Sequence, residues 1–177
     1  GGAVSVTAGT AQAADMTGGA VVITSGDSTS ATTGDITIST ANADSLGRSG
    51  TLLLSTGTSR AGTTGAVSIQ SGDASGGAGG DITVAVGRGD SGTGGTLSLL
   101  GGLTEATDST GGAIFVVSGK SSGATSGDIT IATASADVQG LSGAMLLSTG
   151  DTADGNTGVV NIRTGPALNG RGGDMSL

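Results

Sequence analysis

The chain has 177 residues, of which 38 are Gly, with one Phe, one Pro and no Trp, Tyr, His or Cys, and Ser and Thr add a further 50. That composition lacks the side chains of an ordinary core, forbids disulfides, and removes the residues on which zinc, haem and Ser-His or Cys-His chemistry depend. A formal charge of −8 repels nucleic acid and anionic lipid, and no apolar run nears the roughly 20 residues of a membrane-spanning helix, so neither is an expected partner.

One template runs along the chain: glycine, a small or polar residue, an aliphatic, any residue, another aliphatic. Its glycines are Gly2, Gly19, Gly34, Gly50, Gly65, Gly80, Gly95, Gly112, Gly127, Gly143, Gly158 and Gly173, at steps of 15 to 17 residues. The first aliphatic is, for example, Val4, Val21, Ile36 or Leu52, and the second Val6, Ile23, Ile38 or Leu54. The order of steps repeats after 93 residues, and residues 1–84 match residues 94–177 at 43 positions without a gap. The chain therefore reads as one repeat domain, 1–177, built from a 93-residue block (1–93) and a second, incomplete one (94–177).

Aliphatics alternating with Ser or Thr, as in Ile36-Thr37-Ile38, predict a half-buried strand in every repeat. A twelvefold register is also hard to reconcile with a flexible Gly/Ser linker. The expected fold is all-β: a β-solenoid of about twelve coils, 15–17 residues each, around a thin aliphatic core. In it Ile36→Asp or Ile129→Asp would bury an unpaired carboxylate, whereas Thr37→Asp or Thr130→Asp would be tolerated. The alternative is a larger turn of three strands and about 46 residues, because an Asp follows the anchor glycine in every third repeat: Asp35, Asp81, Asp128 and Asp174. That turn would stack the four carboxylates at about 5 Å, a repulsion only a cation such as calcium would relieve, so the thin coil is preferred. The same four residues are the weak calcium candidates.

Other motifs are fragmentary. Gly76-Gly77-Ala78-Gly79-Gly80-Asp81 resembles the calcium-binding nonapeptide of bacterial repeat toxins, but it occurs once, in a chain whose period is not nine. Ser118-Gly119-Lys120-Ser121 resembles the end of a phosphate loop whose first glycine is replaced by Ile114. Gly57-Thr58-Ser59-Arg60-Ala61 lacks the last glycine of a nucleophile elbow, and Glu105 with Asp108 forms an acid pair with no pocket-forming aromatics beside it. Arg88-Gly89-Asp90-Ser91 spells a cell-attachment tetrapeptide in an exposed linker. None of Asn42, Asn156, Asn161 and Asn169 opens an N-glycosylation sequon. No catalytic residue, cofactor or enzymatic activity is assigned.

Repeats such as Gly34-Asp-Ile-Thr-Ile-Ser-Thr and Gly65-Ala-Val-Ser-Ile-Gln-Ser-Gly resemble the Gly/Ser/Thr-rich repeats of cell-wall and extracellular-matrix proteins of diatoms and related algae. The resemblance implies a long, extracellular or cell-surface, structural protein, and the missing initiator Met with an end at Leu177, in mid-strand by the template, suggests a segment or processed form of something longer. A fibre- or matrix-forming role with end-to-end assembly through open strand edges is the expectation, the alternative being a surface for ice, mineral or polysaccharide. Val22, Leu53, Leu100, Phe115, Val117 and Leu146 occupy outward positions where Ser or Thr is usual, and predict lateral self-association.

Overall fold

The computed structural model describes residues 1–13, 15–137 and 139–176, so Leu177, the second aliphatic of the last repeat, lies outside the described residues. Among the described residues there is neither helix nor strand. The chain falls into two units, Gly1–Val84 and Ala85–Leu177, each carrying six anchor glycines.

This overturns the expected fold. The expected all-β solenoid of twelve coils is not found, nor the larger turn of three strands, because no segment carries a strand ladder among the described residues. No aliphatic core forms either: no described residue is buried. The accessible surface is 17688 Å², against about 7,500 Å² for a compact protein of 16.2 kDa and about 23,500 Å² for the same chain unfolded. The physical reason lies in the repeat itself. Two aliphatics, worth about 1.5–3 kcal/mol each when fully buried, fall far short of ordering the Gly-, Ser- and Thr-rich remainder of each repeat, whose backbone freedom is large. The strand on which end-to-end stacking was to rest is likewise absent among the described residues.

The alternation nevertheless leaves a trace. First-position aliphatics from Val21 to Met175 are 47–59% exposed, and the second-position ones 58–76%. The six outward apolar residues are 78–87% exposed. Period two thus survives as a difference in shielding, without a partner sheet to turn it into burial.

What does take shape is the linker. In all eleven, the residue two places after the second aliphatic returns to the next anchor glycine. A Cβ placed on Gly50 would lie 3.4 Å from Thr40 Cγ2, on Gly65 3.6 Å from Thr56 Cγ2, and on Gly158 3.5 Å from Thr149 Cγ2. One closure demands glycine at both of its ends. A Cβ on Gly112 would sit 2.7 Å from the backbone N of Gly102, and Gly101 faces the Gly112 carbonyl more closely still. At Gly95 the obstacle is Val86 Cγ1, 2.8 Å from an added Cβ, a side-chain atom that can move. Each linker is therefore a closed loop of the Ω kind, its two ends in contact.

Candidate functional site

The tightest closures occur twice, once in each unit. The Gly19 amide donates to the Gly9 carbonyl at 2.8 Å, and 93 residues on, Gly112 donates to Gly102 at 2.9 Å. Gly34 donates to Gly26 at 3.1 Å, and its counterpart Gly127 to Gly119 at 3.0 Å. Inside the second kind of loop a serine organises the turn. Ser28 Oγ accepts from the Ala31 amide at 2.9 Å, and Ser121 Oγ accepts from Ala124 at 2.9 Å and Gly123 at 3.4 Å. A hydroxyl that answers an amide two or three residues on replaces a backbone turn bond. In consequence the residues with most shelter are Ser25, Ser28, Ser118 and Ser121, with Ala8 and Thr104, and not the aliphatics.

The residues singled out in the sequence lie apart. Asp35, Asp81, Asp128 and Asp174 are all exposed. Among the described residues no three or more carboxylates gather where a metal ion could be held. Asp174 lies 3.9 Å from the guanidinium of Arg171, with both side chains more than nine-tenths exposed; such a pair contributes little. Ser121 spends its hydroxyl on the turn at Ala124, and Lys120 beside it is exposed. In the Arg88–Ser91 stretch, Ser91 Oγ donates to Asp90 Oδ1 at 3.3 Å, and Gly92 follows with a positive φ of 75°, so the tetrapeptide stands in an exposed bend. Glu105 and Asp108 are exposed beside the Thr104 hydroxyl, which accepts from the Ala106 amide at 3.3 Å. A shallow open depression is lined by four consecutive residues, Arg163, Thr164, Gly165 and Pro166. Its walls come from one stretch of chain and bring no second group to bear on a ligand.

Comparison with known proteins adds no relative: no family model, curated protein or solved structure matches the chain.

Besides the closed loops, both units repeat a row of aliphatic segments, carried between the closures and open to water throughout. Among the described residues, no helix is long and apolar enough to cross a membrane. The sequence reading missed the serine-organised loops. Their signal was present as Gly-x-Ser-x-x-Ala at 26–31 and again at 119–124, each followed by the next anchor glycine.

Proposed function

We propose that this chain is a structural, matrix-forming component of an extracellular or cell-surface material, and that it acts by associating with further copies of itself through its aliphatic segments. The observation that carries the reading is the exposure of those segments: even their most sheltered members, such as Val160 and Ile129, remain about half open to water. Aliphatic area left in water is a driving force for association, and a contiguous apolar surface of more than a few hundred Å² is characteristic of an interaction site. Repetition multiplies the effect, because one contact holds the remaining segments at high effective concentration. The resemblance to Gly/Ser/Thr-rich algal matrix repeats supports the same role. A net charge of −8 tempers association at low salt and gives way as the Debye length shortens.

Sedimentation velocity over a range of protein and salt concentrations tests this, with electron microscopy of the associated material. Growing assemblies that increase with salt are expected. A chain that stays monomeric up to its solubility limit in high salt overturns the proposal.

A further inference from the structure

We infer that copies associate in parallel with a shift of 93 residues, so that residues 1–84 of one copy lie along residues 94–177 of the next. The inference rests on self-association as proposed above and specifies its register. Four observations lead to it.

The two stretches match without a gap at 43 positions, so a shift of 93 sets glycine on glycine and aliphatic on aliphatic in every repeat. The loops agree as well as the sequence, since the Gly9–Gly19 and Gly26–Gly34 closures recur as Gly102–Gly112 and Gly119–Gly127. Surface is ample: the chain exposes about 10,000 Å² more than a compact protein of its mass, several times the roughly 1,600 Å² of a standard interface.

Charge then separates the two parallel registers. With copies aligned residue for residue, all twenty charged side chains face their own kind, which is destabilising. Shifted by 93, only four like pairs remain, Asp15/Asp108, Asp35/Asp128, Asp44/Asp137 and Asp81/Asp174. One pair becomes attractive: Asp27 faces Lys120 of the next copy. Arg60 also comes within one position of Asp154. Both Asp27 and Lys120 are exposed at equivalent points of equivalent loops. The outward apolar residues are accommodated, with Val22 against Phe115 and Leu53 against Leu146. Because each copy uses its first half toward one neighbour and its second half toward another, the contact is heterologous and does not close, so growth is open-ended.

The chain contains no cysteine, which permits a direct test. Asp27→Cys and Lys120→Cys chains are oxidised under assembling conditions, each alone and as an equal mixture. The expected result is abundant cross-linking between Cys at 27 and Cys at 120 in the mixture, with little in either chain alone. Efficient cross-linking of Asp27→Cys with itself shows the unshifted register, and association without any cross-link in any combination shows another geometry. Both outcomes overturn the inference while leaving self-association standing. A cross-linked monomer from the double variant Asp27→Cys/Lys120→Cys also overturns it, by placing the pair within one chain. Absence of association in the unsubstituted chain overturns the underlying reading instead.

A second measurement uses charge. Asp27→Lys and Asp73→Lys change the net charge equally, but residue 27 faces Lys120 in the shifted register while residue 73 faces Pro166. Asp27→Lys should raise the concentration for half-assembly about two- to tenfold, Asp73→Lys should lower it, and Asp27→Lys/Lys120→Asp should restore the original value. Equal effects of the two single substitutions overturn the register. Position 120 shows that lysine is compatible with the closed loop.

Discussion

The linker between Ser25 and Gly34 and the aliphatic segment that follows it, Ile36-Thr37-Ile38, differ in what they need in order to take shape. The linker is complete in itself: one backbone bond from Gly34 to Gly26 and one hydroxyl bond from Ala31 to Ser28 fix its ends and its turn. Its counterpart 93 residues on repeats both. The segment needs something outside itself, because its two isoleucines are half exposed or more and no neighbouring segment answers its backbone. Local polar geometry forms where water can satisfy whatever is left over, whereas apolar side chains gain only from a partner surface. Loops and segments are thus two materials on one chain, one shaped by its own hydrogen bonds and one left open to water.

The sharpest way to break that comparison is to remove the apolar character of the segments. Ile36→Asp with Ile129→Asp should raise the concentration for half-assembly more than about tenfold, two aliphatic contacts per copy being lost at about 1.5–3 kcal/mol each. The circular dichroism of the dilute chain should stay unchanged. Thr37→Asp with Thr130→Asp should weaken assembly less, through charge alone. Equal loss from the two faces would show that the graded exposure carries no meaning for association.

The loops are challenged by Gly112→Ala, whose Cβ would meet the backbone of Gly102. The amide at residue 112 should lose its hydrogen bond, seen as a steeper temperature coefficient of its proton shift in NMR spectra, while Gly19, its counterpart, keeps its own. Gly57→Ala, with open space around the added methyl, should change neither. Next in size come Ser28→Ala and Ser121→Ala, which remove the acceptor of the Ala31 and Ala124 amides. Each should open its loop by about 0.5–1.5 kcal/mol, read from the same coefficients at residues 31 and 124. The smallest effect is expected from Asp174→Asn: the exposed contact with Arg171 should make no measurable difference to assembly or to loop closure.

The period, the 93-residue duplication and the division into aliphatic and linker stretches were all legible in the sequence, because they depend only on residue order. The sheet was not there to be read. Ile36 and Ile38 satisfy the pattern of a half-buried strand, but pattern states which face an element would bury and not whether enough exists to bury it against. A repeat of two aliphatics and a dozen small residues meets the first condition without the second. The candidate site divides in the same way. Exposure of Val22, Leu53, Leu100, Phe115, Val117 and Leu146 followed from their place between or just beyond the alternating pair. The serine turns at Ser28 and Ser121 were hidden because Gly, Ser and Thr are so frequent that a hydroxyl with a task resembles its neighbours. Only the coincidence of a hydroxyl, an amide three residues on and a glycine closure sets them apart.

The closed linkers also have a mechanical meaning. Between Gly26 and Gly34 the backbone travels eight residues and returns to within one hydrogen bond of where it began, so almost none of that contour contributes to end-to-end length. Tension applied along the chain would draw it out by roughly 25–30 Å, at 3.3–3.6 Å per extended residue, once the Gly34–Gly26 and Ala31–Ser28 hydrogen bonds gave way. In the other ten linkers the ends also meet, across nine to eleven residues, so each holds slack of similar length. Stretch is thus stored in the linkers in small, separately released lengths, and slackening the chain lets each loop close again without any neighbouring segment having to refold.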